Sequence, residues 1–371
     1  MTLLASLPRV VDELDGPLVC TAVEQVTHDV RTFHLATPES RALLFEPGQH
    51  VTVTAEVEGA AVSRCYSITS PATAGSGLSI TVKRVPGGPV SNWLHENLVP
   101  GGQVQVTGPF GSFGSARVPG RPELHLTAGS GLTPLMCMAR SIVESRDSAS
   151  VRADVVLVHH ARTPADIIFR DELERLHDLY PGIRVVVVCE EPCGQRWRGH
   201  RGRISHELLE EAVPDLPIRD ILVCGPPRYM QAARDIVLDL GADPARVHEE
   251  SYDFGARADR SPATSSPSAA AGAGGVPDPS GASGVAHIVE FRRSGRTVSC
   301  TETTTILVAA SEAGLTHPSS CRSGMCGTCK TTMLSGTVEM NHAGGIRPRE
   351  VADQKILLCC STPTSDVVVD A

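Results

Sequence analysis

The chain has 371 residues, 41% of them hydrophobic, and a formal net charge of −9. That length suits two or three domains of about 100–200 residues each, and the acidic balance leaves no footprint for nucleic-acid binding. No stretch reaches ~18 uninterrupted apolar residues, so no membrane span is expected. Twelve cysteines in a chain this long read as reduced intracellular thiols and not as a disulfide scaffold.

Residues 1–17 read as a short polar leader. Asp12, Glu13 and Asp15 interrupt any apolar run, so a signal peptide is not expected and the protein reads as soluble and cytoplasmic. Six β-rich runs follow between Leu18 and about Gly108: LVCTAVEQV, VRTFHLAT, HVTVTAEV, AVSRCYSIT, LSITVKRV and QVQVTG. Short runs broken by turns predict a closed six-stranded antiparallel β-barrel, here a domain over 18–118. One helix is expected within it, at 91–98, ended by Pro100-Gly101.

From Glu123 the texture changes. ELHLTA, VRADVVLVHH, IRVVVVCE, DILVCG and ARVHEESY are near-continuous apolar runs, and helical stretches lie between them at about 134–145, 166–179, 205–212 and 227–240. That alternation predicts a doubly wound α/β domain over 119–256. Residues 257–285 are rich in Pro, Ala, Ser and Gly without apolar periodicity. They read as a flexible linker spanning roughly 30 Å as a coil. A third, α+β unit is expected over 286–371: a hairpin (HIVEFRRSGRTVSC), a helix near 305–314, a cysteine loop, and strands at 330–340 and 366–370. It carries eight basic and eight acidic side chains, so the negative charge belongs to the rest of the chain.

The cysteine loop is the sharpest signal. Cys321, Cys326 and Cys329 are spaced C-x4-C-x2-C, and Cys359 follows thirty positions later, the pattern of a plant-type [2Fe–2S] site. Ser323, Gly324, Gly327 and Thr328 are small enough to let backbone N–H groups reach the sulfurs. Zinc prefers paired C-x2-C knuckles, and Cys326/Cys329 supply one such pair. Cys359 and Cys360 are adjacent, and the spacing selects Cys359 as ligand.

Four weaker signals stand upstream. Arg64-Cys65-Tyr66-Ser67 sits on a strand, where an arginine can grip a diphosphate and a tyrosine on the same face can lie against a flat ring. A solvent-facing arginine beside a core tyrosine reads as well for these four residues alone. Gly87–Ser91 opens the expected helix, with Ser91 as N-cap and free amides behind it for a phosphate, or as a plain turn and cap. Gly129-Ser130-Gly131-Leu132-Thr133-Pro134 follows a strand and opens a helix, as a pyrophosphate-binding turn does, although the usual third glycine is missing. Cys224-Gly225-Pro226-Pro227 ends a later strand, where α/β sheets bind ligands or simply turn tightly.

Taken in order, RCYS, GGPVS, GPFGSF, GSGLTP, CGPPRYM and HEESY resemble the ferredoxin–NADP reductase superfamily. With the C-terminal cysteine pattern, the chain is similar to its oxygenase-reductase type, which carries a β-grasp ferredoxin domain. The resemblance implies FAD held by Arg64, Cys65, Tyr66, Ser67, Val82, Lys83, Gly88, Val90 and Ser91. It implies a nicotinamide path along Gly129, Ser130, Gly131, Thr133, Pro134, Cys224, Gly225 and Pro226. Tyr66, Ser67, Glu250 and Tyr252 would stand at the reacting flavin, and Cys321, Cys326, Cys329 and Cys359 would hold the cluster. MNHAGGIRPREV followed by ILLCCSTPTSD is similar to reductases of Rieske-type monooxygenases acting on quaternary ammonium compounds, and also to the reductase of hybrid-cluster protein.

The expected protein is an NAD(P)H-dependent electron-transfer reductase with FAD and a [2Fe–2S] cluster. A Rieske-type oxygenase is the expected acceptor, and the chain is expected to be a monomer. NADH is expected over NADPH, because Cys189-Glu190-Glu191 puts acid where a 2′-phosphate would sit; Arg162 or Arg196 could offset it. Two alternatives stay open: another acceptor such as hybrid-cluster protein, and a redox-sensing binding module.

Overall fold

The computed structural model describes residues 10–11, 13–38, 42–72, 75, 77–114, 120–144, 153–191, 193, 196–251, 286–315, 317, 319 and 322–371. Tyr252, Cys321 and the linker expected at 257–285 lie outside the described residues. The chain divides into two compact units, Met1–Tyr252 and Asp253–Ala371.

The first half of the larger unit contains β1 (Val10–Val11), β2 (Leu14–Thr27), β3 (Val30–Ala36), β4 (Ala42–Leu43), β5 (His50–Val57), β6 (Ala60–Ser67), β7 (Gly77–Lys83), α1 (Pro89–Asn97) and β8 (Gln103–Phe110). Six strands form one antiparallel sheet in the order β6-β5-β8-β2-β3-β7. The expected barrel is a curled sheet whose edge strands approach at an antiparallel bridge between Ile68 and Ile80. Leu18, Phe33, Leu35, Val51, Val53 and Ile80 fill its inside, and α1 adds Val90 and Leu94. Burying those side chains holds the helix, which is too short to persist alone.

The second half contains β9 (Glu123–Ala128), α2 (Leu132–Glu144), β10 (Val155–Ala161), α3 (Arg170–Leu179), β11 (Ile183–Cys189), β12 (His200–Arg201), α4 (His206–Ala212), β13 (Asp220–Cys224), α5 (Pro227–Asp239) and β14 (Val247–Glu250). The strands are parallel, in the order β12-β11-β10-β9-β13-β14. Every residue of β9, β10 and β13 is buried because helices cover both faces. Leu132, Leu135, Leu173 and Leu176 of α2 and α3 pack on Val155 and Leu157. Leu208, Leu209, Ala233 and Val237 of α4 and α5 pack on Val156 and Val158. The single helix expected at 166–179 is instead a 3₁₀ turn, Pro164–Asp166, and then α3. Phe169 between them is left-handed at φ 56°, which a continuous right-handed helix excludes.

Strand order reverses between β9 and β13, so the crevice at their C-terminal ends is a topological switch point, where open α/β sheets bind ligands. Helix α2 also ties this half to the curled sheet. Arg140 donates to the Thr69 carbonyl at 2.6 Å and forks onto Glu172 at 2.6 and 2.7 Å. The Ala72 N–H donates to the Ser141 hydroxyl at 2.9 Å.

The smaller unit contains β15 (Ala286–Phe291), β16 (Arg296–Thr301), α6 (Ile306–Glu312), β17 (Lys330–Ser335), β18 (Val338–Met340), α7 (Pro348–Ala352), β19 (Lys355–Leu357), β20 (Ser361–Pro363) and β21 (Val367–Val369). A mixed sheet runs β16-β15-β21-β17-β19, and β18 pairs with β20. Helix α6 buries Ile306, Leu307 and Ala310 against Val289, Phe291 and Val298. The strand expected at 330–340 is two strands, because Gly336 turns the chain at φ +98°.

Candidate functional site

On β6 the two-residue period separates the expected flavin residues. Arg64 and Tyr66 are half-buried, while Cys65 and Ser67 are buried on the opposite side. Burial raises the Tyr66 phenol well above its ordinary value, against the pull of Arg64, so the ring stays neutral and can lie against a flat cofactor. Cys65 faces Thr52, with its sulfur 3.6 Å from the hydroxyl. Its thiol therefore does not share the face of Arg64 and Tyr66, a correction to its expected role.

The helix start is also corrected. Pro89 takes the first turn of α1, Gly88 is the N-cap, and no side chain caps it. Ser91 lies inside the helix instead: its hydroxyl donates to the Gly88 carbonyl and accepts from the Val85 N–H, both at 3.2 Å. Proline's fixed φ suits that first position and starts the helix earlier than the serine suggests. The uncapped N-terminus retains amides that can face an anion. Val82 and Val90 bury their side chains in the core, so only their backbones can meet a cofactor, and the Val82 carbonyl is engaged by His95 Nε2 at 2.9 Å. Lys83 pairs with Asp29 at 3.3 Å. Together with Arg84, Pro86, Asn92 and Arg162 they line a cavity of about 530 Å³.

At the switch point, Gly129–Gly131 form a 3₁₀ turn between β9 and α2, with Gly129 at φ +54°. Gly131 lies on the end of β13; a Cβ there would fall 2.1 Å from the Cys224 carbonyl oxygen, so this contact requires glycine. Ser130 is exposed and Pro134 is buried in α2. The Thr133 hydroxyl stands 2.9 Å from the Ser130 carbonyl and 3.2 Å from the Ser67 hydroxyl. The two expected motifs, RCYS and GSGLTP, therefore touch. Cys224 is fully buried, and burial, reinforced by the charge of Glu250, pushes its thiol well up. Pro226 is exposed as the N-cap of α5.

Glu250 is buried at the end of β14. Its Oε1 lies 3.8 Å from Nδ1 of His50, which opens β5 and is fully buried. Burial by itself would pull the imidazole down; Cys65 and Glu250 act against it and push it up to about 10. His50, Glu250 and Cys65 thus form a polar cluster joining the two halves. Sequence reasoning passed over His50, which opens β5 on the face of Thr52 and Thr54, opposite the core-filling Val51 and Val53.

In the smaller unit, Cys326, Cys329 and Cys359 are all buried. The Gly324 N–H donates to Cys359 Sγ at 3.3 Å, and the Cys359 N–H donates to Cys329 Sγ at 3.4 Å. The Cys326 sulfur and the Thr328 hydroxyl stand 3.1 Å apart. Gly324 and Gly327, both at φ +71°, give the loop its tight path. Cys360 is half-buried and turned toward the Leu357 carbonyl at 3.7 Å. Buried thiols bearing backbone N–H···S bonds are the donor set an iron–sulfur group requires. Among the described residues no three such side chains converge on one point. A two-iron cluster divides its thiolates between two irons and needs no such convergence.

Three family models match the chain: an oxidoreductase FAD-binding domain over 17–114, an oxidoreductase NAD-binding domain over 126–235 and a 2Fe-2S iron-sulfur cluster binding domain over 289–364. The glycine betaine monooxygenase reductase subunit of Pseudomonas aeruginosa (strain UCBPP-PA14) is 40% identical over 354 residues, covering 95% of this chain and 94% of that protein. The stachydrine N-demethylase reductase subunit of Rhizobium meliloti (strain 1021) is 36% identical over 356 residues, covering 96% of each. A phthalate dioxygenase reductase structure shares the fold, with a TM-score of 0.54 at 24% identity over 96% of this chain and 97% of that one. With the FAD, NAD and cluster modules in this order, the chain belongs to the ferredoxin–NADP reductase superfamily as an NAD(P)H-dependent flavin oxidoreductase with a C-terminal [2Fe–2S] ferredoxin domain.

Proposed function

We propose that this chain is the reductase component of an oxygenase system, drawing on NADH and delivering electrons singly to a Rieske-type oxygenase that acts on a quaternary ammonium compound. The carrying observation for the electron path is the contact of Ser67 with Thr133, which joins the flavin strand to the dinucleotide turn. The acceptor class rests on the similarity, over nearly full length, to the glycine betaine and stachydrine reductase subunits. Bound at these sites, FAD would supply the junction between two-electron hydride chemistry of nicotinamide and one-electron transfer to a [2Fe–2S] cluster.

The residues do the positioning. Arg64 and the uncapped start of α1 would hold the diphosphate, and Tyr66 would offer its neutral ring to the flavin. The turn Gly129–Gly131 and the Cys224–Pro226 corner seat the nicotinamide half, with Glu250 anchored by His50. Cys321, Cys326, Cys329 and Cys359 would hold the irons, and the Gly324 and Cys359 amides, which donate to Cys359 and Cys329 sulfur, would stabilise thiolate charge. Glu190 and Glu191 follow β11 and disfavour a 2′-phosphate. Arg203 pairs with Glu190 at 3.1 Å on an exposed edge, which tempers the repulsion without reversing it. We place the protein in the cytoplasm as a monomer.

Anaerobic reduction of the purified protein by NADH, followed by addition of candidate oxygenase components, tests this reading. Oxygenase turnover that depends on this reductase supports it; NADH oxidation that no oxygenase draws on points to a different acceptor. A kcat/KM higher with NADPH than with NADH overturns the nucleotide assignment.

A further inference from the structure

The switch-point crevice contains a second polar pair. His160 is the penultimate residue of β10, and its side chain shares the α4/α5 face with Val156 and Val158. Tyr229 lies in the first turn of α5. Its hydroxyl is 3.2 Å from His160 Nδ1, and the rings lie 5.1 Å apart at 55°. The Tyr229 ring also rests on the corner that carries the expected nicotinamide residues. A Cβ on Gly225 would come within 3.0 Å of Tyr229 Cδ1 and 3.2 Å of the Ala128 Cβ.

The ring's charge state follows from the surroundings. Burial pulls the His160 imidazole down to about 4, against the backbone of Thr127, so the ring is neutral and has one N–H. Among the described residues Nε2 has no hydrogen-bond partner, and Nδ1 meets a polar group, the Tyr229 hydroxyl at 3.2 Å. In the tautomer with its proton on Nε2, Nδ1 receives the Tyr229 O–H. The Tyr229 oxygen then donates to His160 and presents acceptor lone pairs to anything entering the crevice, and this tautomer is part of the proposal below.

We propose that Tyr229 is a nucleotide-binding residue whose hydroxyl oxygen, oriented by His160, accepts a hydrogen bond from the nicotinamide nucleoside, and that His160 is its positioning residue. This inference rests on the nicotinamide half being seated at the Gly129–Gly131 and Cys224–Pro226 corner. Two groups of that nucleoside offer the needed donor: the carboxamide N–H and a ribose hydroxyl. A pair that admits donors and gives nothing to acceptors is a selectivity device, because an unmatched buried polar group loses its desolvation cost uncompensated.

The test is anaerobic stopped-flow reduction of the flavin by NADH and by reduced 3-acetylpyridine adenine dinucleotide, in which a methyl group replaces the carboxamide nitrogen. The saturation curve yields a dissociation constant and a limiting rate separately. Tyr229→Phe keeps the ring and removes the oxygen, and should weaken NADH binding by roughly five- to tenfold, the value of one hydrogen bond, at unchanged flavin content. If the analogue is unaffected by the substitution, the carboxamide is the donor; if both nucleotides weaken equally, a ribose hydroxyl is. His160→Asn, which retains an acceptor near the Nδ1 position, should recover part of the affinity that His160→Leu loses. Unchanged dissociation constants for both nucleotides in Tyr229→Phe overturn the proposal. Failure of wild-type protein to be reduced by NADH would instead remove the nucleotide-site reading beneath it.

Discussion

The hydroxyls of Ser67 and Thr133 meet at 3.2 Å, one at the end of a strand of the curled sheet and the other in the first turn of α2. The contact fixes the dinucleotide turn against the flavin strand, and hydride transfer is sensitive to such placement because small misalignments of reacting atoms are costly. Thr133→Val keeps the shape and removes the hydroxyl. It should slow flavin reduction at saturating NADH by roughly fivefold, about 1 kcal/mol, with flavin content unchanged. An unaltered limiting rate in stopped-flow would reduce the contact to a structural one.

The adjacent cysteines give a cleaner separation. Cys359 is buried, accepts the Gly324 N–H and donates its own N–H to Cys329, while Cys360 turns to the Leu357 carbonyl. Cys359→Ser should abolish or disturb the cluster spectrum, and Cys360→Ser should leave it largely intact. In the Cys359 variant NADH should still bleach the flavin and ferricyanide should still be reduced. Cytochrome c reduction should fall by about tenfold or more, because its electrons pass through the cluster.

Gly324 is held at φ +71°, and a Cβ there would lie 2.8 Å from both Cys360 Sγ and the His342 Cα. Gly324→Ala therefore combines a left-handed backbone with a clash against main chain, worth roughly 1–3 kcal/mol. The iron-to-flavin ratio of the purified variant should drop, and the melting transition of the ferredoxin unit should move down by several degrees.

The His50–Glu250 pair sets an alkaline limit on the larger unit. The folded-state pKa of His50 is pushed up to about 10, above the value near 6.5 of an unfolded histidine. Its stabilisation is therefore fully present below about pH 6.5 and is lost as the pH rises through about 10. Thermal melting followed by flavin release should fall by several degrees between pH 6.5 and 10. His50→Gln should be less stable at pH 6.5 and flatter across that range.

Much of this arrangement is legible in the sequence because it is local. The C-terminal 2Fe-2S domain is readable from the cysteine spacing, and β9, β10 and β13 from continuous apolar runs that match their complete burial. The start of α1 is not, since Ser91 offers a good N-cap side chain and Pro89 competes for the first turn with a preset φ. Contacts between distant segments leave no periodic trace. His50 and Glu250 are 200 positions apart in the sequence, and nothing in either strand announces the other. The same holds for His160 and Tyr229, which only the reversal of strand order brings to one crevice.

The central claim is that nicotinamide electrons reach the C-terminal cluster by way of the flavin, and anaerobic titration with NADH followed by optical and electron paramagnetic resonance spectra tests it most directly. The account predicts that flavin bleaching is accompanied by the signal of one reduced [2Fe–2S] cluster per chain, and that the signal is missing in Cys359→Ser while the bleaching remains. Complete flavin reduction with the wild-type cluster still oxidised, when dithionite reduces that same cluster readily, would contradict it.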